Sequence, residues 1–245
     1  MIPKIIHYCW FGHNPLPPLA IKCIDSWRKY LPDYEIKEWN ESNFDVNTIA
    51  YTTEAYQARK FAFVSDYARF WILYHEGGLY FDTDVELIKP IDDIITEGGF
   101  IGCEADRQSN TLAIKVNPGL GLGCEKGNPI INAMLAYYTN LSFLLSDGSY
   151  NYKTIVDYTT TVLKTYGLSD SAGIQKLDGI TVYPSDYFNP INSITKRCRI
   201  TSNTRSIHYG AASWQQKGLC SRFKKFLRNL FPDSVLIAIN RLKHK

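Results

Sequence analysis

Two carboxylates one residue apart, Asp82 and Asp84, sit at the end of an apolar run in HEGGLYFDTDVELIKP (75–90). Like charges this close repel, and beside a core they are costly unless a cation sits between them. If the segment is extended, both acids leave one side of the strand and Thr83 leaves the other. Two hard oxygen donors facing one way suit Mg2+ or Mn2+, with a substrate diphosphate completing the coordination. Asp-x-Asp alone is common and is more often a solvated strand end. The order of features shifts that balance: a Gly-Gly stop, an aromatic strand, then the acid pair.

Just upstream, FAFVSDYARFWILYHEGG holds Asp66 and Arg69 three residues apart on one helical face, with Arg59 two turns earlier on the same face. An intrahelical ion pair is worth roughly a few tenths of a kcal/mol. Phe63, Phe70, Trp71 and Leu73 mark the segment as buried, where a charge needs a stronger reason. An arginine that reaches a sugar or a phosphate is one such reason.

The elements that must position these groups can be read in order. KIIHYCW (4–10) has the composition of a buried strand, followed by the loop FGHNPLPP. The spacing of Leu19, Ile24 and Trp27 predicts a helix from about Pro18 to Tyr30, with proline in its first turn. YEIKEW (34–39) alternates as a second strand, so the chain opens with a βαβ unit. Thr52 and Thr53 can cap a long helix running to about His75 and stopped by Gly77–Gly78. LYFDTDVEL, FIGCE (100–104) and TLAIKV (111–116) are strand-like. Asn128–Pro129 opens a helix with Ile130, Ile131, Met134, Leu135 and Tyr138 on its apolar side; another helix near 154–166 precedes the short strands ITVYP and RSIHY. The expectation is one α/β domain, 1–216, with a helical basic tail, 217–245.

Composition bounds the chemistry. The 245 residues can bury a substantial core. The six cysteines form no Cys-x-x-Cys and no Cys/His cluster, which argues against zinc and against a disulfide framework. The N-terminus lacks the pattern of a signal peptide, and no run of 18 apolar residues is present, so the expected compartment is the cytoplasm. From Lys217 onward eight Lys/Arg face one acid, Asp233, a net +7, whereas the preceding residues, with 19 basic and 23 acidic side chains, carry −4. An acidic body argues against nucleic acid as a partner. Phe223, Phe226, Leu227 and Leu230, interleaved with basic residues, suit either a helix docked on the domain or an interfacial helix drawn to anionic lipid at the inner face of the plasma membrane.

HYCWFG (7–12), SDYARFWILYHEGGLYFDTD (65–84) and IHYGAASW (207–214) together resemble glycosyltransferase family 32, over roughly residues 4 to 214. These are DXD-containing sugar transferases, including fungal Golgi mannosyltransferases and bacterial capsular polysaccharide or lipopolysaccharide enzymes; the clostridial glucosylating toxins are more distant. The resemblance implies a GT-A fold, a Rossmann-like nucleotide-sugar-binding domain, with a Mn2+ or Mg2+ cofactor, a nucleotide-sugar donor and retention at the anomeric carbon. Carried over by position, Trp10 stacks on the donor base and Tyr80 lines the nucleotide pocket. Asp66 and Arg69 hold the donor sugar and its phosphate side, Asp82 meets ribose or metal-bound water, and Asp84 binds the metal. His208 or Ser213 adds a metal-side contact, with Trp214 near the diphosphate. Relatives often carry an aromatic or a second histidine where this chain has Tyr209–Gly210. Glu104, Asp106 and Asn117 fall in the segment expected to approach the donor sugar.

The expected reaction moves a hexose, from UDP-hexose first and GDP-mannose second, to a glycan or lipid-linked acceptor in cell-surface polysaccharide synthesis. Two rivals use the same residues. A haloacid-dehalogenase-type phosphatase would take Asp82 as its nucleophile, but its motif normally follows the first strand. A carbohydrate-binding protein would use the abundant aromatics without metal or nucleotide.

Overall fold

Ile6, His7, Tyr8 and Cys9 of β1 (Ile5–Cys9) are all buried, the pattern of a strand covered on both faces. β1 runs parallel to β2 (Glu35–Trp39) across α1 (Pro18–Tyr30), whose first turn holds the proline and whose inner face buries Ala20, Cys23, Ile24 and Trp27. The expected βαβ unit is therefore present. The computed structural model describes residues 1–106, 113–192, 194–211, 232 and 235–236. Apart from 232 and 235–236 the basic tail, and with it the boundary at 216, lies outside the described residues.

Among the described residues the central sheet has eight strands in the order β2-β1-β3-β7-β5-β9-β8, with β6 paired to β5. Here β3 is Gly78–Tyr80, β5 Phe100–Ala105, β6 Lys115–Val116, β7 Leu122–Cys124, β8 Gln175–Leu177 and β9 Ile180–Tyr183. β3 is parallel to β1, and β7 is antiparallel to both β3 and β5, so the sheet is mixed. A separate antiparallel pair joins β4 (Val85–Leu87) to β10 (Ser206–His208).

Each face of the sheet has its own core. On one, α2 (Ala50–Gln57), α3 (Phe61–Glu76), α5 (Pro129–Thr139) and α6 (Ile155–Thr165) pack around Phe70, Tyr138 and Leu163. On the other, α1 and β4 pack around Trp27, Phe81 and Phe188, joined by the short helices α4 (Asp92–Thr96) and α7 (Ser185–Phe188). The apolar side expected for α5 is buried at all five positions, and the Asn128 side chain caps its first turn.

Two expectations are corrected. The long helix from Thr52 to His75 is two helices. Arg59 adopts φ 56°, its amide bonds to the Tyr56 carbonyl, and the Lys60 amide bonds to the Ala55 carbonyl; this pair of bonds is a Schellman stop. Arg59 is therefore not on the helical face of Asp66. The segment LYFDTDVEL is likewise not one strand. After Tyr80 the Asp82 amide leaves the ladder for the Gly119 carbonyl, a turn closes from the Val85 amide to the Asp82 carbonyl, and β4 continues in the other sheet. Aspartate opens such turns and is a poor strand former. β7, β8, α4 and α7 have no counterpart in the sequence reading; all are four, five or three residues long, too short for periodicity to register.

Candidate active site

Gly77 and Gly78 make the join between α3 and β3. Both have positive φ, 68° and 98°, and a Cβ on Gly78 would stand 2.7 Å from the Ile5 carbonyl oxygen. Only glycine lets the chain leave α3 and pair with β1 at this point. The join places the face of α3 that carries Asp66 and Arg69 beside the turn that carries Asp82 and Asp84.

Arg69 is 3% exposed. Its Nε donates to the Ser65 carbonyl at 3.1 Å and its Nη2 to Asp66 Oδ1 at 3.0 Å, while Nη1 lies 3.2 Å from Asp82 Oδ1. The guanidinium carbon sits 4.8 Å from the Tyr80 ring centroid, and the Tyr80 hydroxyl donates to Asp82 Oδ1 at 3.2 Å. Arg69 is thus the cation shared by Asp66 and Asp82. Burial disfavours its charge, but Asp82, Tyr80 and Asp66 together hold the guanidinium protonated. Nη1 has the ion pair without an aligned hydrogen bond, which leaves a buried cationic donor with capacity for an anionic oxygen. Burial pushes the Asp66 carboxyl up to about 7, with Arg69 pulling it back and Asp82 adding to the rise.

Asp84 is held from the other side of the molecule. His208, on β10, reaches Asp84 Oδ1 with Nε2 at 3.2 Å. The Ala211 amide donates to Oδ2 at 2.6 Å, and the Tyr209 amide to the Asp84 carbonyl. Burial raises the Asp84 carboxyl, but the His208 and Ala211 hydrogen bonds outweigh it and keep it below its ordinary value. Burial likewise lowers His208, and its bond to Asp84 reverses the shift upward. The scaffold under this turn is rigid: Trp27 Nε1 donates to the Val85 carbonyl at 2.8 Å, and Ser26 Oγ accepts from the Leu87 amide at 2.9 Å. Glu86 pairs with Lys22 and the Tyr209 hydroxyl, which ties α1, β4 and the end of β10 together.

Asp82, Asp84 and His208 offer one ligand atom each within 4.8 Å of one another. Two carboxylates and an imidazole form a donor set that fits a divalent cation. The turn thus achieves what an extended strand was expected to do, by different geometry.

These groups line a cleft of about 910 Å³, within the range of small-molecule sites. Trp10, partly exposed at its wall, donates from Nε1 to the Asn14 carbonyl at 2.6 Å. Tyr80, Glu104 and Asn117 line the cleft as well, and Asn117 Nδ2 donates to Glu104 Oε2 at 2.9 Å. Asp106 does not line it. Its carboxylate accepts from the Ser185 amide and hydroxyl at 2.6 and 3.1 Å, which fixes the start of α7, so the expectation that it approaches a sugar is not met. Ser213 and Trp214 lie outside the described residues.

Sequence reasoning did not place several contributors. A Cβ on Gly119 would fall 1.9 Å from Asp82 Oδ2, so glycine alone lets the acid turn seat. The glycine-rich stretch NPGLGLG (117–123) was the available signal. The Ala211 amide left no signal, because a backbone donor has none. Arg59 and Lys60 also line the cleft, brought there by the helix break.

Residues 17–101 match the model of the glycosyltransferase sugar-binding region containing a DXD motif. Over that segment the chain is similar to the DXD region of glycosyltransferases. It is 30% identical over 111 residues to inositol phosphoceramide mannosyltransferase 1 of Schizosaccharomyces pombe, a match covering 41% of this chain and 33% of that protein. The chain thus spans about a third of the length of that mannosyltransferase. It is also 25% identical over 226 residues to an uncharacterized glycosyltransferase of Acanthamoeba polyphaga mimivirus, covering 87% of this chain and 84% of the other. A solved glycosyltransferase involved in glycosylation of the major capsid of PBCV-1 superposes with a TM-score of 0.51 at 14% identity, over 94% of this chain and 100% of that one. At that identity the likeness shows a shared fold.

Proposed function

We propose that the protein is a metal-dependent, retaining hexosyltransferase of GT-A type. The donor is a nucleotide-sugar, UDP-hexose before GDP-mannose, and the acceptor a glycan or lipid-linked glycan in cell-surface polysaccharide synthesis. The reaction runs on the cytoplasmic side. The observation that carries this reading is the convergence of Asp82, Asp84 and His208 beside the buried Arg69. When bound, a divalent cation, Mn2+ before Mg2+, supplies charge neutralisation at the departing diphosphate.

The chain's own groups have distinct tasks. Arg69 Nη1 offers a desolvated positive donor to a phosphate or sugar oxygen, where a fixed charge is worth most as negative charge develops. Asp66 holds that guanidinium in place. Trp10 and Tyr80 provide aromatic faces for the base and nucleotide. Asn117 and Glu104, joined by their hydrogen bond, supply a polar wall for a sugar ring passing through an oxocarbenium-like state. Same-face attack, with the leaving phosphate taking the acceptor proton, needs no further protein carboxylate as nucleophile.

The test is a panel of UDP- and GDP-hexoses with Mn2+, Mg2+ or EDTA, followed by release of nucleoside diphosphate. Metal-dependent release from one member supports the reading; no release from any of them in Mn2+ removes it.

A further inference from the structure

Of the eleven large hydrophobic residues exposed among the described residues, four fall within nine positions: Leu144, Leu145, Tyr150 and Tyr152. They belong to one hairpin. Leu144 and Tyr150 are bridge partners, and the Tyr150 and Tyr152 rings pack edge to face with centroids 6.1 Å apart. Its root is fixed. Glu54 Oε2 accepts from the amides of Phe143 and Leu144 at 2.7 and 2.8 Å, Phe143 is fully buried and stacks on Tyr150 at 5.3 Å, and the Asn151 amide bonds to the Phe143 carbonyl at 2.8 Å. The exposed apolar groups are therefore presented on a held frame.

The hairpin adjoins the mouth of the cleft. Tyr152 lines it together with Arg59 and Lys60, and Lys60 Nζ stands 5.7 Å from the Tyr152 ring centroid. Lys153 follows directly, its Nζ 5.0 Å from the Tyr158 ring. The nearby acids are engaged: Glu54 by the two amides, and Asp147, at the tip, by the amide and hydroxyl of Ser149. Arg59 is exposed and makes no side-chain ion pair or hydrogen bond with the described residues. Exposed aliphatic and tyrosine side chains beside Arg59, Lys60 and Lys153 match the boundary of an anionic bilayer, where tyrosine sits at the headgroups and Lys/Arg meet phosphate.

We propose that the hairpin 142–152, with Arg59, Lys60 and Lys153, is the face by which the protein lies on an anionic membrane, with its cleft opening toward the headgroups. Membrane binding through this face stands independently of the transferase reading. Its use, presenting a lipid-linked acceptor to the cleft, rests on that reading. The charge pattern favours a lipid surface over a protein partner, because no uncommitted acid among the described residues of this face would specify a matching basic site.

The experiment is co-sedimentation of the full chain with phosphatidylcholine vesicles, with and without phosphatidylglycerol, at low and high salt. The wild type is expected to bind the anionic vesicles and to leave them as salt rises. The double substitution Leu144→Ser, Leu145→Ser lies outside the cleft lining. It should cut vesicle partitioning about tenfold while leaving the melting temperature and soluble nucleoside-diphosphate release unchanged. Lys153→Gln should weaken it about fivefold and flatten the salt dependence. Wild-type failure to bind, equal binding to neutral vesicles, or undiminished binding by the double variant (leaving the basic tail as the contact) would overturn the proposal. So would a double variant that abolishes a self-association of the wild type without changing vesicle binding. Vesicle binding as expected, with no nucleoside diphosphate released, would leave the surface standing and remove the transferase reading.

Discussion

At the residue scale the site is an exercise in compensated burial. Arg69 is affordable inside because Asp66, Asp82, the Ser65 carbonyl and the Tyr80 ring surround it; removing one partner would leave a buried charge unpaired. Burial moves the Asp66 carboxyl toward neutrality, to about 7 from 3.8. The folded state keeps that proton over a range in which the unfolded chain has lost it. The folded state therefore binds more protons between about pH 4 and 7, and the Asp66 contribution to stability falls as pH rises through that window. Urea titrations of the wild type and Asp66→Asn should show a stability difference, wild type minus variant, that declines by at most about 1.4 kcal/mol per pH unit across the window. A difference independent of pH would place the Asp66 pKa near its ordinary value. Gly119→Ala puts a methyl against the Asp82 carboxylate, and it should reduce Mn2+-dependent donor binding more than it lowers the melting temperature.

At the element scale, the decisive features are two helix ends and one turn. Arg59 occupies the left-handed position of a Schellman stop where glycine is the usual resident. Arg59→Gly should therefore stabilise the fold by about 1 kcal/mol, a rise of roughly 2–4 °C in melting temperature, while weakening partitioning to anionic vesicles; a variant that melts lower contradicts the left-handed assignment. The elements with strong local rules were legible in the sequence: α1 with its proline, α5 with its Asn128 cap and five buried apolar positions, and the Gly77–Gly78 exit. What escaped the sequence was long-range. The break at Ala58–Lys60 carries neither Gly nor Pro, so nothing in the pattern announced it. The acid turn looked like a strand because Leu79, Tyr80, Phe81 and Val85 have strand composition, yet the chain changes sheets between Tyr80 and Val85. Of the candidate residues, Asp66, Arg69, Tyr80, Asp82, Asp84 and His208 share one cleft with Trp10, whereas Asp106 serves α7, a contact made across 79 residues that no local pattern encodes.

At the scale of the molecule, the two cores divide the labour. The face with α3 supplies Asp66 and Arg69, the face with α1 fixes the β4–β10 pair that carries Asp84 and His208, and the sheet between them sets their separation. The basic stretch from Lys217 onward suits a domain drawn to an anionic surface, the surface proposed for the hairpin rim. Among the described residues no helix is long and apolar enough to cross a bilayer. The most direct measurement of the central claim is titration of UDP and GDP into the full chain, wild type and Asp84→Ala, with Mn2+ or EDTA and with melting curves on both proteins. The account predicts binding of one nucleotide that requires Mn2+ and falls about a hundredfold or more in Asp84→Ala at a nearly unchanged melting temperature. Equal binding by the two proteins, or binding indifferent to EDTA, would contradict it.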